Sequence, residues 1–142
     1  MVVESILERT MPQSIEAEMS VLGAMILDNE VINLVIPILN KRSFYKTAHQ
    51  ELYQVIVDAY DKGQPVDLVV LREELKKRSL LEKVGGVEFL IELEEAVPTI
   101  GNVEYYANIV REKAIKRNLI EVAATIQKQS FEESTDTEQL LD

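Results

Sequence analysis

The chain has 142 residues, 46% of them hydrophobic but only 6% aromatic, with five Gly, four Pro and neither Cys nor Trp. That length suits one domain, or one domain with an appendage, around an aliphatic core; so few Gly and Pro argue against an all-β fold. Lys and Arg total 15 against 25 Asp and Glu, a net charge of −10, the wrong sign for a domain that grips a nucleic-acid backbone unaided.

Residues 1–13 read as a loosely held arm ending near Pro12. The first helix is expected from about Ser14 to Asp28, with Ser14 as N-cap and Glu16 and Glu18 at the positive end of the dipole. Ile15, Met19, Leu22 and Ile26 share one face of it, and Gly23 and Ala24 beside that face permit a close helix crossing. Asn29 is expected to cap a short helix through Val31, Leu34 and Val35, which Pro37 bends or stops. Thr47-Ala48-His49-Gln50 reads as a capping box that starts a helix carrying Leu52, Val55, Ile56 and Ala59, closed by Gly63. Asp67 starts the next, with Leu68, Leu71 and Leu75, and Lys76-Lys77-Arg78 at its negative end. Gly85-Gly86 breaks the chain, and a fifth helix holds Phe89, Leu90, Leu93 and Val97 before Pro98. No segment alternates polar and apolar over a strand's length.

The last predicted helix runs from Asn102 to about Gln129, roughly 40 Å at 1.5 Å per residue. Its apolar pattern changes face. Val103, Tyr106, Ala107, Val110 and Ala114 form one stripe; Ile115, Leu119, Val122 and Ile126 form another, rotated by roughly 120° at 100° per residue. One core does not cover both, so the first half packs on the head and the second on something else. After the polar stretch 127–135, a new helix begins at Thr135 or Asp136, and the sequence stops at Leu140-Leu141-Asp142. A helix cut in its first turns is unstable, so the chain reads as a fragment cut inside a helical hairpin. The expectation is all-α: an arm (1–13), a globular head of about five helices (14–100), and a long helix forming the first arm of a truncated hairpin (101–142).

Catalytic signals are absent. No Gly is followed by the Lys-Ser/Thr of a phosphate loop, and Gly85-Gly86 reads as a helix-terminating turn. Without cysteine there is no disulfide, zinc-thiolate site or cysteine nucleophile, which fits a reducing cytoplasm. Met1-Val2-Val3-Glu4 lacks a signal peptide's basic region, and no apolar run approaches the ~20 residues of a membrane span. His49, the single histidine, reads as a packing or solvent residue. Glu92, Glu94 and Glu95 read as a solvated face, with too few converging oxygens for a hard cation. Arg111, Lys113, Lys116 and Arg117 are spread around their helix rather than aligned, which weakens the alternative of a helical DNA-binding module. Ile120 lies off both stripes; it is either a lone exposed isoleucine or part of a surface another protein covers.

Pro12-Gln13-Ser14-Ile15-Glu16-Ala17-Glu18 with Val21-Leu22-Gly23-Ala24, Phe44-Tyr45 with Ala48-His49-Gln50, Gly63-Gln64-Pro65-Val66-Asp67, Val84-Gly85-Gly86, Val97-Pro98-Thr99, Asn102-Val103-Glu104-Tyr105-Tyr106-Ala107 and Ile109-Val110-Arg111-Glu112-Lys113 occur in order. Together they resemble the N-terminal domain of DnaB-type bacterial replicative DNA helicases over residues 12 to about 130. The resemblance implies a non-catalytic scaffold, a helical head and hairpin. Its hairpins pair between subunits into the collar of a hexameric ring, through Ile115, Leu119, Val122 and Ile126 here. It implies primase as a partner, at positions matching Glu16, Phe89, Ile120 and Ile126, and a helicase loader as a further one. It places ATP and Mg in a C-terminal motor domain outside this fragment, in the bacterial cytoplasm, with no nucleic acid bound by the fragment itself. Phe89 also reads as core, and Glu16 as a dipole residue.

Overall fold

The computed structural model describes residues 10–97, 100–133 and 136–141. Among them every regular element is helical: α1 (Ile15–Leu27), a 3-10 turn (Asn29–Val31), α2 (Ile32–Val35), a second turn (Lys41–Ser43), α3 (Thr47–Asp61), α4 (Leu68–Lys77), α5 (Leu81–Val84), α6 (Gly86–Glu95), a third turn (Ile100–Asn102), α7 (Val103–Phe131) and α8 (Thr137–Leu141). The all-α expectation holds. The chain divides into two compact units, Gln13–Ala114 and Met1–Pro12 with Ile115–Asp142.

In the first unit, α1 starts where Ser14 Oγ accepts the Ala17 amide at 3.3 Å. The single apolar face expected for α1 understates its burial. Ala17 through Ile26 are buried except the half-buried Met19, because α1 packs against both α6 and α3. Gly23 makes the α6 crossing possible: a Cβ there would collide with the Leu93 carbonyl and the Val97 side chain.

Two expected caps do not form as read. Asp28, not Asn29, accepts the Glu30 amide at 3.1 Å. The Asn29 side chain is committed elsewhere. Its amide donates to the Met25 and Val66 carbonyls at 3.0 and 2.9 Å, and its oxygen accepts the Val66 N–H at 2.8 Å, tying α1 to the segment before α4. The Thr47–Gln50 capping box is also absent. Lys46 occupies the cap position without a side-chain bond, and Gln50 Nε2 donates instead to the Phe44 carbonyl at 2.8 Å. A capping box does occur, unforeseen, where Asn40 and Ser43 close the second 3-10 turn.

Other signals act as expected. Leu52, Val55, Ile56 and Ala59 of α3 are buried. Gly63, at φ +73°, ends that helix in the left-handed conformation, with Gln64 N–H reaching the Ala59 carbonyl at 3.0 Å. Asp67 Oδ1 accepts the Val70 amide at 2.8 Å to start α4, whose Leu71 and Leu75 are fully buried. The short α5 was unforeseen; Gly85, at φ +116°, separates it from α6. Pro98 lies outside the described residues. Tyr53 packs on Phe44 at a centroid distance of 5.0 Å and donates its hydroxyl to the Leu39 carbonyl at 2.8 Å. Burial pushes its phenol up to about 12. Val103, Ala107 and Val110, the first stripe of α7, belong to this core.

Candidate functional site

α7 is one helix of 29 residues whose apolar pattern changes face midway. Of its first stripe, Val103, Ala107 and Val110 are buried in the Gln13–Ala114 core, and Tyr106 and Ala114 are half-buried. Its second is not buried: Ile115, Leu119, Val122 and Ile126 are between 45% and 62% exposed. All four fall within about 60° of one another around the axis, so they form one continuous apolar strip. A protein surface tolerates scattered apolar residues, but a continuous strip marks an interaction face. Covering the remaining half of each side chain contributes about 1 kcal/mol per residue. α8 is only five residues long, with no buried residue, too short to be stable without packing. Its start is as expected for Asp136, whose Oδ1 accepts the Glu138 amide at 3.1 Å; Thr135 lies outside the described residues.

Ile120 is 46% exposed and lies about 120° around α7 from Ile126. These two candidates thus sit on the same helix but on different faces. Glu16 and Phe89 belong to the other unit. Glu16 is exposed in the first turn of α1, where the dipole favours a carboxylate. Phe89 is half-buried, its Cβ side against Gly85, and its ring stacks on His49 at 5.6 Å and 11°. Phe89 therefore has both a core contact and an exposed portion.

That stack leads to a residue whose burial the sequence reading missed. Glu18 lies in the first turn of α1, as expected, but its burial was unforeseen. It is almost fully buried, accepting His49 Nδ1 at 2.7 Å and the Tyr45 amide at 2.8 Å. The available signal was spacing: Glu18 precedes Val21, Leu22 and Met25 by three, four and seven positions, the register of a buried stripe. His49, in turn, is a fully buried packing residue, as one of the two readings had it. Its Nε2 finds no hydrogen-bond partner.

Among the described residues, no three His, Cys, Asp or Glu side chains converge as a metal site. No described helix is long and apolar enough to cross a membrane. Of the five basic residues on α7, Arg111, Lys116 and Lys128 are exposed, Lys113 is half-buried, and Arg117 is buried with its Nη1 donating to the Pro12 carbonyl at 2.8 Å. They form no common phosphate-facing row.

The family described as DnaB-like helicase N terminal domain matches residues 10–112. The replicative DNA helicase DnaB of Geobacillus stearothermophilus is 45% identical over 135 residues, which is 95% of this chain and 30% of that protein. The chain thus spans under a third of that relative's length. The N-terminal domain of DnaB helicase from Mycobacterium tuberculosis superposes with a TM-score of 0.89 at 38% identity, covering 93% of this chain and 96% of that one. The N-terminal domain of DnaB helicase from Helicobacter pylori, whose structure is described together with its interactions with primase, matches at a TM-score of 0.70 and 24% identity. That match covers 82% of this chain and 91% of the other.

Proposed function

This chain belongs to the DnaB-like helicase N-terminal domain family, and on that premise we propose that it is a scaffold: it pairs with other copies of itself through α7 and receives primase. The observation that carries the proposal is the exposed strip Ile115, Leu119, Val122 and Ile126, an apolar face that a second copy fits by presenting the same strip. Four half-exposed aliphatic side chains give about 4 kcal/mol on each copy when covered. The entropy of association offsets much of that, so pairing in this chain is weak. In a whole helicase such pairs would form the collar of a hexameric ring. Motor activity with ATP and Mg would reside in another part of that protein, in the bacterial cytoplasm. A helicase loader is a further partner of the same assembly.

Primase binding is proposed at Glu16, Phe89, Ile120 and Ile126. All four present exposed or half-exposed surface, and the H. pylori relative is described with primase interactions. Titration calorimetry with the C-terminal domain of a bacterial primase tests this. Ile120→Asn, on an exposed position, is expected to leave thermal unfolding within about 0.5 kcal/mol of wild type and to weaken primase binding by more than about 1 kcal/mol. Unchanged melting with unchanged primase affinity would remove Ile120 from the site. The acidic balance and the scattered cations of α7 support no direct grip on DNA.

A further inference from the structure

Glu18 stands on α1, His49 on α3 and Phe89 on α6, and all three belong to the Gln13–Ala114 unit. They form a chain of contacts that runs from the core to the surface. Glu18 is held at both oxygens, by the Tyr45 amide at 2.8 Å and by His49 Nδ1 at 2.7 Å. That bond anchors one edge of the fully buried imidazole, whose Nε2 has no hydrogen-bond partner. Phe89 lies over the face of the anchored ring, with centroids 5.6 Å apart and planes 11° from parallel, within the range that offset aromatic stacks favour. At its base Phe89 is confined by Gly85, where a Cβ would come within 2.8 Å of Phe89 Cβ and 3.2 Å of its Cγ. Phe89 is nevertheless only half-buried. A side chain gripped at its base and along one face, but open elsewhere, is pre-organised for a partner, because folding has already removed rotamer freedom that binding would otherwise have to remove.

We propose that His49 is a positioning residue for partner binding: pinned by Glu18, its imidazole is the platform that presents the Phe89 ring to primase. The proposal rests on the reading of Phe89 as a primase contact and gives that contact a mechanism. Stability alone does not account for the pair. Well-packed apolar residues of similar volume fill a core as well as a buried polar pair or better, and here one ring nitrogen is buried without a partner, which costs free energy. What the imidazole adds is orientation. It bonds a buried carboxylate through one edge and offers a flat face to a half-buried ring. An aliphatic side chain in its place would fill the volume without that face.

A double-mutant cycle tests the proposal. Asparagine carries its amide nitrogen on Cγ, where histidine carries Nδ1, so His49→Asn keeps a donor for Glu18 and removes the flat ring. Titration calorimetry with the C-terminal domain of a bacterial primase is run on wild type, His49→Asn, Phe89→Ala and the double variant, at a temperature where each is shown to be folded. Phe89→Ala is expected to weaken binding at least about tenfold and His49→Asn at least about fivefold. With Phe89 already alanine, His49→Asn should change the affinity less than about twofold. A merely structural His49 would weaken both backgrounds equally. That result, or an unchanged affinity in His49→Asn alone, overturns the proposal and leaves Phe89 in the site. Unchanged affinity in Phe89→Ala overturns the reading of Phe89 and the proposal with it. A second measurement needs no variant, since His49 is the single histidine. Nuclear Overhauser contacts between the His49 and Phe89 rings are expected in the free chain and should persist with primase bound; their loss on binding overturns the proposal.

Discussion

Glu18 Oε1 lies 2.7 Å from His49 Nδ1, and both side chains are closed off from water. The pair joins α1 to α3, and the second carboxylate oxygen takes the Tyr45 amide at 2.8 Å, so one acidic group organises two helices and the entry to α3. Removing one member leaves the other buried without its partner. His49→Ala is therefore expected to destabilise the chain by about 1–3 kcal/mol or more, the cost of a buried polar group left without its hydrogen-bond partner. Chemical denaturation followed by circular dichroism measures it. A loss under about 1 kcal/mol would mean the pair contributes little to the fold.

Gly23 gives a second prediction. A Cβ on residue 23 collides with backbone at Leu93, and backbone yields less readily than a flexible side chain. Gly23→Ala is expected to destabilise by about 1–3 kcal/mol or more through overpacking, although alanine is the better helix former by about 1 kcal/mol. Stabilisation on substitution would show that α1 and α6 sit further apart than described.

Much of this architecture is legible in the amino-acid sequence. Ser14, Gly63 and Asp67 act at helix ends as their chemistry dictates, and the change of face within α7 was visible in the spacing of its aliphatic residues. What escaped has a common physical cause. Asn29 and Gln50 have the right residue types for caps within their own helices, but backbone outside those helices, at Val66 and at Phe44, takes their side chains instead. Glu18 is a first-turn residue as expected, but one-helix reasoning does not see the histidine 31 positions later that buries with it. The strip Ile115–Ile126 was legible as needing cover; its occupant is not encoded in the strip alone.

Tyr53 predicts a pH effect. Burial raises its phenol from 10.0 to about 12, so the folded state holds the proton more tightly than the unfolded state. That stability is fully present below pH 10 and is lost as pH rises from about 10 to about 12, by at most about 1.4 kcal/mol per pH unit. Tyr53→Phe lacks the titrating group. The stability difference between wild type and Tyr53→Phe should move in favour of the variant across that window, measured by urea denaturation at each pH. Parallel pH profiles would show that the phenol is not held this way.

The central claim is that the exposed strip on α7 pairs with a second copy of the chain. Sedimentation equilibrium over a wide concentration range, on wild type and on Leu119→Glu, tests it most directly. Leu119 is exposed in the single chain, so thermal unfolding of the dilute variant should stay within about 0.5 kcal/mol of wild type. A buried charge without a partner opposes pairing. The account predicts a weak wild-type dimer whose dissociation constant rises at least tenfold, about 1.4 kcal/mol, in Leu119→Glu. A wild-type chain that stays monomeric at every concentration, or a variant that dimerises as well as wild type, would contradict it.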